Sequence, residues 1–266
     1  MIGVFDSGVG GLSVWKELVS ILPGEKYIYL ADSGYCPYGP RSAEYVIERA
    51  ARISDFFLER GAEMIVVACN TATAAAIDYL RGHYNVPFVG MEPAVKPAAI
   101  RSASGTIGVL ATKGTFSGDL YHRTLRKFAS GTKVIEQIGT GLVELVESCN
   151  TESAETMELL GRYLEPMLEQ GADQLVLGCT HYPFLIKPIK KIVGERMDIV
   201  NPAPAIALHA KNLLEKIRNG NYSSSGGTEF YTTGDNEEIV ERLARLMVEE
   251  SKLPFIGEIK CRKINV

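Results

Sequence analysis

Long apolar runs, paired cysteines and an excess of positive charge are all missing from this chain. Its longest apolar stretch, Met64 to Ile77, is broken by Asn70, Thr71 and Thr73 and falls short of the roughly 20 residues that a membrane helix needs. It reads instead as strand, loop and helix start, and no membrane partner is expected. Lys and Arg number 28 against 32 Asp and Glu, a net charge of -4. With no basic stripe to track a phosphate backbone, nucleic acid is excluded as the primary partner. No basic segment with a small-residue cleavage site opens the chain, so no signal peptide is read and the cytoplasm is the expected location. The cysteines are Cys36, Cys69, Cys149, Cys179 and Cys261. Their odd number and the lack of any Cys-x-x-Cys pair exclude a disulfide framework and dithiol redox chemistry. A P-loop is absent, and Ser13 stands where the dinucleotide fingerprint would place its third glycine after Gly8 and Gly10, so nucleotide binding is not supported.

What is present is a regular alternation of short apolar runs with amphipathic segments, the pattern of βα units around a parallel sheet. Strands are expected at 2–5, 27–31, 64–68, 88–90, 106–111, 133–138, 174–178 and 198–200. Helices are expected at 12–21, 43–60, 73–83, 95–102, 118–128, 154–169, 184–193 and 205–218. The helical period is clearest after Ser153, where Met157, Leu160, Leu164 and Leu168 recur at steps of three and four. A Tyr-Ser-Ser-Ser-Gly-Gly stretch after Asn219 reads as a flexible surface connection, and a strand, a helix over 236–250 and a basic strand follow it.

Internal repeats sharpen this picture. Ile2-Gly3-Val4-Phe5-Asp6-Ser7-Gly8 resembles Ile107-Gly108-Val109-Leu110-Ala111-Thr112-Lys113-Gly114, and Ile65-Val66-Val67-Ala68-Cys69-Asn70-Thr71 resembles Leu175-Val176-Leu177-Gly178-Cys179-Thr180-His181. The two cysteines are 110 residues apart and the opening strands 105, so the two matches agree in order and spacing. The expected fold is α/β: two pseudo-symmetric parallel-sheet domains, 1–95 with 209–266 and 96–208, with the active site between them. Ligands of open parallel sheets sit outside the carboxyl ends of the strands, where both cysteines fall.

Each of these thiols precedes a helix start, whose positive end would lower its pKa. A buried structural thiol is the alternative for either one alone. Two thiols facing one molecule across a cleft match stereoinversion, in which a carbon acid loses its proton on one face and regains one on the other. Asn70, Thr71, Thr180 and His181 offer donors for an amino-acid zwitterion, and the amides of Gly8-Val9-Gly10-Gly11 could cradle a further carboxylate. Asp6 and Ser7 could bind an ammonium or orient a thiol, against a helix-cap or turn role for Asp6. Cys179-x-His181 matches no zinc spacing, so no metal is expected; His181 reads as tuning the thiol, or as a solvated loop histidine. Cys36 reads as a turn residue, and Cys149 and Cys261 as inert.

Taken together, Phe5-Asp6-Ser7-Gly8-Val9-Gly10-Gly11-Leu12, Pro37-Tyr38-Gly39, Ala68-Cys69-Asn70-Thr71-Ala72 and Gly178-Cys179-Thr180-His181-Tyr182-Pro183 resemble the glutamate racemases over essentially the whole chain. The Thr-His after the second cysteine separates it from the aspartate racemases, which usually carry Thr-Glu there. The resemblance implies a cofactor-independent enzyme that supplies D-glutamate for peptidoglycan. Cys69 would serve D-glutamate and Cys179 L-glutamate, with Asp6 and His181 assisting. Glutamate would be held by Asp6-Ser7, Tyr38-Gly39, Asn70-Thr71 and Thr180-His181. Two segments depart from the family pattern: Asp32-Ser33-Gly34-Tyr35 before Pro-Tyr-Gly, and Gln137 to Glu147. In the second, Glu147 is the better match to an assisting glutamate, with Glu144 competing. A racemase of aspartate or a related acid and a two-lobed solute-binding module are the rival readings, and a homodimer is left open.

Overall fold

The structure, a computed structural model, describes residues 1–218, 226–253 and 257–266. Most of the expected surface connection after Asn219 lies outside these residues. The first part of the chain runs β1 (Ile2–Asp6), α1 (Leu12–Ile21), β2 (Lys26–Ala31), α2 (Ala43–Glu59), β3 (Met64–Val67), α3 (Asn70–His83), β4 (Phe88–Gly90) and α4 (Val95–Arg101). The second runs β5 (Thr106–Ala111), α5 (Lys113–Phe116), α6 (Asp119–Phe128), β6 (Lys133–Ile138), α7 (Leu142–Glu147), α8 (Ala154–Glu169), β7 (Gln174–Gly178), α9 (Ile186–Val193) and β8 (Asp198–Val200). Then come α10 (Ala203–Arg218), β9 (Gly227–Thr232), α11 (Glu237–Ser251) and β10 (Cys261–Lys263).

The strands form two sheets, ordered β10-β9-β2-β1-β3-β4 and β6-β5-β7-β8, and every pairing between them is parallel. Helices cover both faces of such sheets, so their inner strands need no polar side. Accordingly β1, β3, β5 and β7 are buried along their whole length, which is why the sequence shows continuous apolar runs there and not alternation. The order β2-β1-β3-β4 recurs as β6-β5-β7-β8. The repeat visible in the sequence is therefore a repeat of topology, and Cys69 and Cys179 follow equivalent strands.

Helix boundaries follow local chemistry. Ser42 caps α2 by accepting from the Tyr45 amide, and Ser153 caps α8 by accepting from that of Thr156 at 3.2 Å. The buried stripe of α8 is Thr156, Leu160, Leu164 and Met167, rotated from the expected one: Met157 and Leu168 are only half-buried. Thr156 is drawn inward because its hydroxyl bonds the Asn150 carbonyl and Ser153. Helix α10 is continuous from Ala203 to Arg218 and packs against α1, so residues 208 and 209 lie within one helix. No helix among the described residues is long and apolar enough to cross a membrane.

Candidate active site

The carboxyl end of β1 delivers Asp6, fully buried. Its Oδ2 accepts from the Gly11 amide at 2.7 Å and from Thr180 Oγ1 at 3.3 Å. The first bond ties the turn that opens α1; the second reaches the other sheet's motif. The glycine turn does not keep all four of its amides for a substrate carboxylate. Two of them are taken by the protein's own carboxylates, Gly11 by Asp6 and Val9 by Glu147 Oε1 at 2.7 Å. A Cβ at Gly10 would stand 2.3 Å from His181 Nδ1, so this backbone position must lack a side chain if the two halves are to meet.

Cys69 is the N-cap of α3, and its Sγ accepts from the Ala72 amide at 3.5 Å while lying 3.9 Å from Ser7 Oγ. The expected depression of its pKa is overturned. Burial pushes the thiol well up, and the nearby Asp6 carboxylate pushes it further, outweighing the opposing pull of the Ala72 amide. Asp6 is likewise raised, first by burial, with the charge of His181 and a hydrogen bond from Cys69 opposing. Next in the chain, Asn70 is 3% exposed, and neither its Nδ2 nor its Oδ1 has a partner among the described residues. An unpaired buried amide costs stability and calls for a reason; a bound polar ligand supplies one. Thr71 Oγ1 pairs with Thr112 Oγ1 at 2.8 Å, joining the helix start after β3 to the end of β5.

Cys179 differs in its surroundings. The α-helix after it begins only at Ile186, beyond a tight 3-10 turn at Tyr182–Leu185, so this thiol is not at an α-helix N-terminus as expected. Its neighbour is His181, whose Nδ1 is 3.8 Å from Cys179 Sγ and 3.8 Å from Asp6 Oδ2. At 1% exposure, His181 is no solvated loop residue. Its Nε2 bonds Glu147 Oε1 at 2.6 Å. Burial, the largest influence, opposes a charge on the imidazole, but hydrogen bonds to Cys179, Cys36 and Glu147 and the Asp6 charge outweigh it and hold the pKa well above 6.5. Glu147 thus stands against the histidine, whereas Glu144 is on the exposed face of α7. Ser13 Oγ adds a further bridge between the halves, donating to the Thr180 carbonyl at 2.9 Å.

The loop before Pro37 also takes on a role. Asp32, fully buried, accepts from Arg49 at 2.7 and 3.0 Å, from Thr233 Oγ1 at 2.8 Å and from the Tyr38 hydroxyl, and Arg49 lies over the Tyr35 ring. The departure from the family pattern therefore leaves Asp32 as the anchor that fixes Tyr38 and Gly39, with Gly39 beside Thr112. Sequence reading missed Arg49, Thr112 and Cys36 here. Thr112 had a signal, since it lies in the repeat at the place following β5; Cys36, treated as a turn residue, in fact has its donor atom within 4.8 Å of those of His181 and Glu147. A cavity of about 600 Å³ between α2, α3 and α6 reaches Gly39, Thr71 and Gly114, though its lining stops short of the two thiols.

The profile of the Asp/Glu/hydantoin racemase family matches residues 2–210. A glutamate racemase of Roseiflexus sp. is 47% identical over 249 residues, 92% of this chain and 91% of its own length. Among solved structures, glutamate racemase isoform RacE1 of Bacillus anthracis superposes with a TM-score of 0.87 at 31% identity, covering 100% of this chain and 97% of that one. The Escherichia coli glutamate racemase in complex with L-glutamate and the activator UDP-MurNAc-ala gives 0.84 at 33% identity, covering 92% and 94%. Aspartate racemases share the fold at lower similarity, that of Picrophilus torridus with a TM-score of 0.53 at 19% identity. With the family profile spanning most of its length and glutamate racemases matching it nearly end to end, this chain belongs to the Asp/Glu/hydantoin racemases, as one of the glutamate racemases, isomerases that act on amino acids.

Proposed function

We propose that this chain interconverts L- and D-glutamate by proton transfer between two thiols, without a cofactor, in the cytoplasm, and so supplies D-glutamate for peptidoglycan. The observation that carries this reading is the pair of buried cysteines, Cys69 and Cys179, at the ends of equivalent strands, each with its own acid–base partner. Cys179 takes the α-proton of L-glutamate, with cationic His181 as counter-charge to its thiolate and Glu147 holding the imidazole by its far nitrogen. Cys69, kept protonated by burial beside Asp6, donates to the opposite face. In reverse, Asp6 serves as the base that frees the Cys69 thiolate, and its raised pKa suits it to that task.

The substrate sits between the lobes built on the six-stranded and the four-stranded sheet, and the α-carbanion is stabilised by fixed donors in a site without bulk water. Asn70, with both ends of its amide unpartnered, takes one glutamate carboxylate together with Thr71 and Thr180. Ser7, Tyr38 and Gly39 complete the binding groups around Asp6 and His181. An aspartate racemase would use the same two thiols, so substrate identity needs a direct test.

That test is chiral chromatography of L-glutamate and L-aspartate incubated with the purified protein and no added cofactor. Conversion of glutamate to an equal mixture is expected. Cys69→Ala and Cys179→Ala should each lose it by at least about a thousandfold, near 4 kcal/mol, because the proton then has a route on one face only. Preferential turnover of aspartate, or near-normal rates in either variant, would contradict the reading.

A further inference from the structure

Three metal-ligating side chains from separate stretches meet beside the thiols. Cys36 comes from the loop after β2, Glu147 from the end of α7 and His181 from the turn after β7, and one donor atom of each lies within 4.8 Å of the other two. Gly8 forms the wall behind two of them: a Cβ there would stand 1.8 Å from Glu147 Oε1 and 3.2 Å from Cys36 Sγ. Of the Cys179-x-His181 pair, which matches no zinc spacing in the sequence, only His181 takes part. The third ligand is Cys36, which sequence spacing could not bring to the site.

We propose that Cys36 Sγ, His181 Nε2 and Glu147 Oε1 form a capture site for a thiophilic divalent cation, zinc being the type case, and that the ion arrests the enzyme reversibly. One thiolate, one imidazole and one carboxylate make a donor set that zinc accepts in tetrahedral geometry, leaving a fourth position for water. Magnesium and calcium, which need several oxygen ligands, are disfavoured by it. At zinc bond lengths of about 2.0–2.3 Å, tetrahedral donors stand about 3.4–3.6 Å apart. The His181–Glu147 pair, now at 2.6 Å, has to open by less than about 1 Å, and Cys36, already within 4.8 Å of both, has to close by about as much. An ion can reach the cluster because the Glu147 side chain is 18% exposed and Cys36 is only partly buried.

Capture would release the Cys36 thiol proton and the His181 Nε2 proton to solvent and replace the hydrogen bond between Glu147 and His181 with two metal bonds. The loss of turnover that follows rests on the role proposed above for those two residues; capture itself does not. The experiment therefore reads the metal directly. Cobalt(II) is titrated into the full-length protein and the absorption spectrum recorded, while zinc is titrated in the racemase assay with each rate expressed relative to the same protein without zinc. The expected result is one cobalt per chain with a thiolate-to-cobalt charge-transfer band, removed by EDTA. Cys36→Ala should lose the band, and Cys36→Ala and Glu147→Gln should each need at least about tenfold more zinc for half-inhibition. Cys36→Ser serves in place of the alanine variant if circular dichroism shows that one misfolded. An unchanged band in the Cys36 variants would put the metal on Cys69 or Cys179 and overturn the proposal, as would the absence of any such band in the parent protein. A parent that shows the band yet turns over at full rate keeps the capture site and contradicts the arrest, and with it the role given to His181 and Glu147.

Discussion

Replacing Glu147 by Gln leaves an acceptor oxygen of the same reach but removes its charge. In the structure that oxygen serves the Val9 amide at 2.7 Å and His181 Nε2 at 2.6 Å, so the glutamine can keep both contacts, the one to His181 weakened towards a neutral bond because the imidazole loses its ion-pair partner. Charge-assisted bonds contribute about 1.5–3 kcal/mol and neutral ones about 0.5–1.5. The loss at the His181 contact is therefore about 1–2 kcal/mol, roughly a 5- to 30-fold fall in kcat/KM. Because L- and D-glutamate are equal in free energy, kcat/KM must fall equally in both directions, and rates alone cannot say which thiol is affected. Isotope effects can. If Glu147 supports the Cys179 step, that step becomes more rate-limiting: the primary effect on kcat/KM should rise with α-deuterated L-glutamate and shrink with α-deuterated D-glutamate. Glu144→Gln, on the exposed face of α7, should change neither. A Glu147→Gln protein with parental rates, or one whose two isotope effects move together, would refute the assignment.

Two further substitutions probe other parts of the account. Asn70→Leu removes a buried amide without a partner among the described residues, so it should raise the unfolding free energy by roughly 1–3 kcal/mol while raising the KM for glutamate about tenfold or more; denaturant melts and initial rates check both, and a lower stability would contradict the unpaired state. Glu63 is drawn down from 4.5 to about 2, chiefly by its hydrogen bond from Arg218, against burial and with help from the N-terminal ammonium. Its folded pKa lies below its unfolded one, so its stabilising effect is complete above about pH 4.5 and is lost as pH falls towards 2. Glu63→Gln should flatten the stability curve across that window, and urea melts showing identical acid limbs in the two proteins would contradict the pairing.

The legible part of this fold was set by burial on both faces. Strands such as Thr106–Ala111 and Gln174–Gly178 show as apolar runs after a polar first residue because helices cover them on either side. The short helices Lys113–Phe116 and Leu142–Glu147 went unread, since four or six residues cannot display a helical period. In the site, the two cysteines and their sequence neighbours were visible through the repeat. What could not be read was contact across the chain. The sequence shows a helix start after Cys69, which argues for a lowered pKa, but not the Asp6 carboxylate and the burial that reverse the sign. Likewise the glycine turn looks like a free anion cradle until Asp6 and Glu147 are seen to occupy two of its four amides. Cys36 reads as a turn residue until Gly8, Glu147 and His181 are found around it.

The central claim is that two different thiols carry the proton on the two faces of one carbon, and heavy water tests it most directly. If one thiolate takes the α-proton and a second, solvent-equilibrated thiol supplies the new one, product formed in heavy water carries deuterium from the first turnover. Substrate recovered early should still carry protium. Mass spectrometry of the separated enantiomers at low conversion, starting once from L-glutamate and once from D-glutamate, gives both quantities. The account predicts deuterated product and unlabelled residual substrate in each direction. Substantial transfer of the original proton into product, from either side, would contradict Cys69 and Cys179 as separate proton carriers.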